Sequence, residues 1–224
     1  RRLLTGEGIA QAGWYYWGMG YGYDANGHLV SQTYPTGLAV TYSPNALGRP
    51  TQVADLGGQV YASGISYHPN GAIKQFTYGN GILHTMTQNA RQLPGRVTSG
   101  GSVSDLAFYY DANGNVSHIW DHARDTGNGF YGRWMVYDGL DRLTDVGSCS
   151  FGGDCWHRFT YDAVDNIRSW KLAGVKDYAE YVYDASNRLT NIRNSGGASV
   201  VGLGYDAQGN LQNKNGQGYD FDYG

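Results

Sequence analysis

The stretch that decides the fold is Tyr181-Val-Tyr-Asp-Ala-Ser-Asn-Arg-Leu189. Its Asp can accept a hydrogen bond from the backbone N–H two residues on, and its Asn tolerates the positive φ that follows a type I turn. The aromatic residues before the Asp are two apart, as they are on one face of a β-strand. The stretch therefore predicts a β-hairpin closed by a tight turn.

The same pattern recurs along nearly the whole chain, with central positions 23, 42, 67, 87, 110, 137, 161, 183 and 205, so successive copies are about 22 residues apart. Clear copies begin at Tyr21, Phe108, Met135, Phe159, Tyr181 and Leu203, weaker ones at Val40 and Ile65, and a degenerate one at Thr87. A second turn signal lies between copies, as at Gly57-Gly58 and Gly196-Gly197. Each repeat therefore holds two turns and two strands.

The residues predicted to carry the repeat are the tyrosine, the aspartate and the Gly or Arg near the end of each turn. They are Tyr23, Asp24, Gly27, Tyr42, Tyr67, Tyr110, Asp111, Gly114, Tyr137, Asp138, Arg142, Tyr161, Asp162, Tyr183, Asp184, Arg188, Tyr205, Asp206 and Gly209. Their role is structural. We expect the tyrosine rings to cover apolar surface while their hydroxyls reach water or a partner.

Two turns in about 22 residues leave no room for crossover helices, so the fold class is all-β, an antiparallel meander of hairpins. Aliphatic pairs three residues apart, such as Val116 and Ile119, break strict alternation and indicate a bulge in the second strand or packing on both faces. A sheet this wide is expected to curl into a curved or spiral wall. Residues 1–20 are interpreted as an aromatic-rich lead-in from an incomplete repeat, and 21–224 as tandem repeats with the last one truncated.

Composition argues against several classes of function. The 224 residues include 35 Gly and 20 Tyr, only 16% are charged, and the net charge is −3. That balance offers no basic field for nucleic acid. No apolar window is long enough to span a membrane, and no targeting signal opens the chain.

The Tyr-Asp dipeptides at 23–24, 110–111, 137–138, 161–162, 183–184 and 205–206 resemble the repeats of YD-repeat or RHS-repeat proteins. The resemblance covers residues 21–224, with departures at the Tyr-Ser-Pro and Tyr-His-Pro copies and over 78–100. It implies a β-ribbon that spirals into a hollow shell enclosing a C-terminal effector or toxin domain of the same polypeptide. The Asp-Pro of the core-closing motif in bacterial relatives does not occur in this sequence.

From the resemblance we expect a non-enzymatic shell segment without cofactors, whose partners are neighbouring repeats of a longer chain and the enclosed effector. It implies a secreted or cell-surface location. Two alternatives stay open. The repeats could form an adhesive module that recognises glycans or a cell-surface protein, or a self-associating β assembly, because an excised sheet has unpaired edges.

Four patterns resemble ligand or catalytic motifs, and each has a structural explanation that we favour. His118 and His122 have the spacing of a helical zinc pair but are predicted to lie on a strand and a loop, where they are too far apart for one metal. Residues 24–27 resemble the start of a calcium loop without its later ligands. Residues 20–25 resemble a dinucleotide fingerprint without the helix that should follow it. Cys155 beside His157 resembles a thiol nucleophile without a readable helix or base.

Two further features stay open on the sequence alone. Cys149 and Cys155 bracket a loop short enough for a disulfide, and two free thiols fit as well. Trp14-Tyr-Tyr-Trp17 is the densest aromatic cluster. We interpret it mainly as part of an earlier repeat or a contact to upstream chain, with sugar or protein binding as the alternative.

Overall fold

The computed structural model describes residues 2–11, 15–125 and 130–221. Its regular structure consists of 21 β-strands and one 3₁₀ turn, Cys149–Phe151. The strands are β1 (Gly6–Gln11), β2 (Tyr15–Tyr23), β3 (Leu29–Thr33), β4 (Ala39–Pro44), β5 (Pro50–Asp55), β6 (Val60–Tyr67), β7 (Ile73–Tyr78), β8 (Leu83–Gln88), β9 (Pro94–Ser99), β10 (Ser104–Tyr110), β11 (Val116–Asp121), β12 (Arg133–Tyr137), β13 (Leu143–Gly147), β14 (Trp156–Tyr161), β15 (Ile167–Leu172), β16 (Lys176–Tyr178), β17 (Glu180–Tyr183), β18 (Leu189–Arg193), β19 (Ser199–Tyr205), β20 (Leu211–Lys214) and β21 (Gln217–Gly218).

Sheet neighbours follow chain order, β1 to β16 in one antiparallel sheet and β17 to β21 in another. The predicted all-β chain of antiparallel hairpins is confirmed. One difference is a break in the expected continuous ribbon at Ala179, whose N–H donates to the carbonyl of Arg193 at 2.8 Å, so the chain passes there into the second sheet. The chain divides into two compact units, 1–107 and 108–224. The predicted division of the sequence at residue 20 stays a prediction.

Each predicted hairpin turn closes in the same way. In the turn 184–188, Asn187 N–H donates to the carbonyl of Asp184 at 2.9 Å, Asp184 N–H donates to the carbonyl of Arg188 at 2.9 Å, and Asn187 has a φ of 61°. We call these five-residue turns the motif turns. Their fourth residue has a left-handed backbone conformation, and we call their fifth residue the closing residue. They are 24–28, 45–49, 68–72, 89–93, 111–115, 138–142, 162–166, 184–188 and 206–210. Even the degenerate copy at Thr87 therefore keeps the turn.

The bulge expected in the second strand lies directly after the motif turn, as the turn 184–188 shows. Tyr183 pairs with Leu189 and Val182 with Asn191, so Thr190 is an extra residue, and its hydroxyl donates to the carbonyl of Val182 at 3.1 Å. Because of that extra residue, Leu189 and Ile192 share a face although they are three apart. The same skip follows Tyr23, Tyr67, Tyr137, Tyr161 and Tyr205.

The hydrophobic core is thin. In the described part of the chain, the buried apolar side chains are those of Val40, Ala54, Ala107, Leu172 and Ile192. Large apolar residues such as Leu47 and Leu56 stay exposed at motif and intervening turns. Contacts between neighbouring hairpins therefore contribute much of the stability of this fold.

Candidate functional site

The motif aspartates use both carboxylate oxygens to close their turns. Oδ1 of Asp162 accepts from the backbone N–H groups of Val164 and Asn166, both at 2.9 Å, and Oδ2 accepts from the Asn166 side-chain amide at 3.0 Å. The amide of Asn166 holds the pKa of Asp162 below its ordinary value, because the bond favours the charged carboxylate. Hydrogen bonds to the aspartate carboxylate thus join the first residue of the turn to its closing residue.

The other Tyr-Asp turns have the same hydrogen bonds to the aspartate. In each, the closing residue donates to one Asp oxygen through its backbone and to the other through its side chain. The pairs are Asp24–His28, Asp111–Asn115, Asp138–Arg142, Asp184–Arg188 and Asp206–Asn210. Bonds from the closing residue lower the pKa of Asp24, Asp138, Asp184 and Asp206.

The motif tyrosines tie each hairpin to the preceding one. The hydroxyl of Tyr183 donates to the carbonyl of Ile167 at 2.9 Å, and Ile167 is the aliphatic residue that follows the previous motif turn. The corresponding bonds are Tyr137 to Val116, Tyr161 to Leu143, Tyr205 to Leu189, Tyr67 to Pro50 and Tyr23 to Leu4, at 2.6–2.9 Å. These hydroxyls were expected to reach water or a partner. Their partner is a backbone carbonyl of the preceding segment, and at Pro50, Leu143, Ile167 and Leu189 that carbonyl lies beside a bulge.

Tyr42 has a different hydroxyl partner from these six tyrosines. Burial, with a hydrogen bond to Tyr34, raises the pKa of Tyr42. Tyr34 belongs to the turn 34–38 that precedes β4, so Tyr42 has a local partner within its own region. Tyr110 is the last residue of β10 and leads into the motif turn 111–115.

Successive motif turns also contact one another directly through their fourth and fifth positions. The Nη1 of Arg142 donates to Oδ1 of Asp165 at 2.8 Å and to the carbonyl of Asp162 at 2.9 Å. The guanidinium also lies over the ring of Tyr161, 4.9 Å from its centroid. One closing residue therefore spans two repeats.

Where the left-handed residue is Asp or Asn, it accepts from the closing residue of the turn before it. Asp141 Oδ1 accepts from the amides of Asn113 and Asn115 at 2.8 and 2.7 Å. Asn187 Oδ1 accepts from the amide of Asn166 at 2.7 Å. Sequence reasoning missed this relation, although Asn or Arg at one closing position precedes Asp or Asn at the next left-handed position in three successive turns.

At the left-handed glycines Gly48 and Gly71, the preceding closing side chain lies against the glycine instead. A Cβ at Gly48 would lie 2.7 Å from Cδ2 of His28, and Gly48 has a φ of 76°. Arg49 approaches Gly71 and lies over the ring of Tyr67 at 4.6 Å. Successive motif turns are therefore joined in some places by a hydrogen bond and in others by a side chain that lies against a glycine.

His118 and His122 lie in different surroundings, one on a strand and one in a turn. His118 is only 8% exposed, its ring stacks on Trp134 at 3.8 Å and on Tyr109 at 5.3 Å, and burial lowers its pKa. His122 lies in the turn after β11. Among the described residues, no three His, Cys, Asp or Glu side chains come together as metal ligands.

The other resemblances are explained by turn structure. Both oxygens of Asp24 accept from Asn26 and His28, the arrangement of a turn. The glycine pattern at 20–25 is the end of β2 and the start of that turn. Nδ1 of His157 accepts from Nε1 of Trp170 at 2.8 Å, and burial lowers the pKa of His157.

The cysteines lie in the loop between β13 and β14. Both are free thiols, Cys149 exposed and Cys155 partly exposed. A hydrogen bond between the two thiols raises the pKa of Cys155. The two cysteines are therefore adjacent in space.

The aromatic cluster at 14–17 is only partly within the described residues, because Trp14 lies outside them. Tyr16 is 73% and Trp17 45% exposed on β2. Trp17 lines a cleft of about 270 Å³ with Ile9, Met19 and Pro35.

The described residues include no helix long and apolar enough to cross a bilayer.

Comparison with known proteins gives one family match. Residues 23–60 match the model of the RHS repeat. No curated protein matches the chain at a significant level. The matched residues cover the first motif turn, the second one and the strands between them.

Several solved structures are similar in fold. The Photorhabdus luminescens Tc holotoxin pore with a mutated TccC3 is 16% identical, with a TM-score of 0.59, over 89% of this chain and 13% of that chain. The TcdB2-TccC3-Cdc42 crystal structure is 18% identical, with a TM-score of 0.66, over 89% and 12%. TcdB2-TccC3 without its hypervariable C-terminal region is 17% identical, with a TM-score of 0.55, over 89% and 13%.

The chain thus spans about an eighth of the length of these solved chains. At this level of identity the likeness concerns the fold. Together with the repeat match, it confirms the resemblance to RHS-repeat and YD-repeat proteins that the Tyr-Asp dipeptides indicated.

Proposed function

From this likeness to RHS-repeat and YD-repeat proteins, we propose that the chain is a wall segment of a shell. The shell encloses an effector domain that belongs to the same longer polypeptide. The repeat match and the fold support a structural RHS-repeat segment. The enclosed effector is our proposal. Its support comes from the construction of the wall and from what the similar structures contain.

The observation that carries the proposal is the row of tyrosine bonds between hairpins. Tyr137, Tyr161, Tyr183 and Tyr205 each satisfy a carbonyl of the preceding hairpin, so four successive joints in the second unit have one geometry. A bond repeated at these four joints is typical of a wall built from like units, and it spreads the polar contacts along the sheet. Such a wall holds a cargo by excluded volume and dispersed contacts.

The similar structures suggest what the cargo is. One is described as TcdB2-TccC3 without a hypervariable C-terminal region, so that protein carries such a region at its C-terminus. We also propose a secreted or surface location, because delivery of a toxin would require it and one similar structure is a holotoxin pore. We infer that the effector of the present protein likewise follows the repeats in the chain.

Limited proteolysis of the full-length polypeptide tests the proposal. We expect the domain C-terminal to the repeats to resist protease while the repeats are folded, and to be digested when it is expressed alone. A matched control is the full-length protein with Tyr161→Phe and Tyr183→Phe, which weakens two joints. A C-terminal domain that is cut equally fast with folded repeats and alone contradicts encapsulation.

An adhesive role is the second candidate, favoured by the exposed rings of Tyr16 and Trp17 on β2. Aromatic rings of this kind can stack on sugars. A glycan array probed with the chain, compared with Tyr16→Ala, distinguishes the two. Binding that the substitution abolishes supports adhesion, and a blank array supports the wall.

A further inference from the structure

We propose that Cys149 and Cys155 are a reversible redox site, a dithiol that closes to an intramolecular disulfide in the presence of a low-molecular-weight disulfide such as oxidised glutathione. The proposal is independent of the encapsulation function. It concerns only the loop between β13 and β14 and the elements of the second unit that contact it.

The strand register brings the two cysteines together. Gly147 pairs with Trp156, and Ser148 N–H donates to the carbonyl of Cys155 at 2.9 Å. Cys155 is therefore directly opposite Ser148, and Cys149 is the next residue along. In this arrangement the two thiols are hydrogen-bonded to each other.

The loop backbone is fixed from both sides, so the thiols do not need to search for each other. Ser148 is fully buried, its hydroxyl donates to the carbonyl of Tyr131 at 3.0 Å, and Cys149 N–H donates to the carbonyl of Phe130 at 2.6 Å. Cys155 N–H donates to the carbonyl of Gly152 at 2.9 Å. Fixed ends raise the effective concentration of one thiol at the other.

The two thiols have different accessibilities, which gives the reaction an order. Cys149 is exposed and Cys155 only partly so. The Cys149 thiolate attacks a sulfur of oxidised glutathione and forms a mixed disulfide, while one glutathione leaves as its thiolate. The Cys155 thiolate then attacks the Cys149 sulfur, the protein disulfide forms, and the second glutathione leaves. Two protein thiols are oxidised and one glutathione disulfide is reduced.

The disulfide would clamp a loop that already contacts the next hairpin. Asp154 N–H donates to the carbonyl of Ala173 at 3.3 Å, and Val175 lies against Gly152 and Gly153. Phe151 in the same loop packs on His157, with ring centroids 4.6 Å apart. Oxidation therefore fixes the contact between the loop 149–155 and the turn after β15.

The experiment equilibrates the chain in buffers of defined reduced and oxidised glutathione, blocks free thiols with an alkylating agent and measures the products by mass spectrometry. We expect an intramolecular disulfide to form. The effective concentration of one thiol at the other should fall about tenfold in denaturing urea, because the fold no longer holds the thiols together. Cys155→Ser should accumulate the glutathione adduct on Cys149. The oxidised chain should unfold at a higher temperature than the reduced chain.

A matched variant moves one thiol by a single residue. The double change Cys149→Ser with Ser150→Cys keeps two thiols in the loop but shifts one away from Cys155, and its effective concentration should lie well below that of the natural pair. The proposal is overturned if the folded natural chain keeps both thiols alkylatable where the denatured chain oxidises. It is also overturned if the shifted pair closes equally well, or if oxidation lowers the unfolding temperature.

Discussion

Nη1 of Arg142 lies 2.8 Å from Oδ1 of Asp165, so the closing residue of one motif turn is ion-paired with the left-handed residue of the next. The same guanidinium bonds Asp138 within its own turn and covers the ring of Tyr161. Since Arg presents its donors in a planar fork, one side chain can serve both turns at once.

Arg142→Lys should therefore destabilise the chain more than a charge-preserving change normally does. A single ammonium cannot keep both carboxylates and the ring contact. The midpoint of urea unfolding, followed by fluorescence, should fall for Arg142→Lys. Arg168→Lys, at an exposed bulge position, is the matched control and should leave the midpoint nearly unchanged. Equal midpoints for the two variants would contradict the two-turn role of Arg142.

Tyr183→Phe should lower the free energy of unfolding by about 1 kcal/mol, because the carbonyl of Ile167 loses its donor while the ring stays in place. Tyr109→Phe removes a hydroxyl from an exposed ring and should change stability by less than half as much. Chemical denaturation of both variants makes the comparison. If Tyr109→Phe is the more damaging, the hydroxyl bond is not the source of stability at Tyr183.

Gly48→Ala and Gly37→Ala separate backbone strain from side-chain contact. Both glycines have a positive φ, 76° and 83°, but a Cβ at Gly48 meets the His28 ring and a Cβ at Gly37 meets nothing within 4 Å. We expect a loss of about 1 kcal/mol at Gly37 from strain alone and a larger loss at Gly48. Adding His28→Ala to Gly48→Ala should recover part of the difference in thermal unfolding. No recovery would mean that His28 does not occupy that space.

Acidification through the ordinary histidine pKa should destabilise the second unit. Burial holds the pKa values of His118 and His157 below the ordinary 6.5, so both are neutral in the fold and take up protons more readily when unfolded. The stability is fully present above pH 6.5 and is lost as the pH falls from there through the folded pKa values. Unfolding temperatures at pH 7.5 and 5.5 measure the effect, and His118→Phe should reduce the difference. An undiminished difference in that variant would assign the effect to other groups.

Asp162→Asn should weaken its turn at neutral pH and flatten the acid limb of the stability curve. The folded pKa of Asp162 is lowered, so its contribution is present above the ordinary carboxyl value and is lost as the pH falls through the folded value. An Asn can still accept from the backbone, but its amide opposes the Asn166 amide. Urea midpoints between pH 2.5 and 7 should converge for the variant and the natural chain at the acid end. A constant gap across that range would exclude the carboxylate charge as the cause.

The hairpins were predictable because their determinants are local. Asp184, Asn187 and the pattern around them specify a turn whatever surrounds it, and the spacing of Leu189 and Ile192 already indicated the bulge. The partner of each tyrosine was not predictable in the same way. Tyr161 and Leu143 are 18 residues apart, whereas Tyr137 and Val116 are 21 apart, so insertions between repeats hide a constant spatial relation.

Two other features depend on context beyond a single repeat. The break at Ala179 follows β16, which has only three residues, Lys176–Tyr178, and no motif marks it. The stacking of His118 on Trp134 depends on the pairing of β11 with β12, across a connection whose residues 126–129 lie outside the described part. The thiol pair was recognised as a candidate from its spacing, but its closeness depends on the register of β13 and β14.

The joints between motif turns make each repeat specific for its neighbour. Asn115 requires an acceptor such as Asp141 in the following turn, while His28 requires the bare backbone of Gly48. Exchanging two hairpins by recombination would place a bulky imidazole against an aspartate, or leave an amide facing a glycine. Gene duplication can therefore lengthen such a ribbon without loss of stability only when the first and last turns of the copied hairpins match the turns next to them. This requirement constrains how the repeat array can grow during evolution.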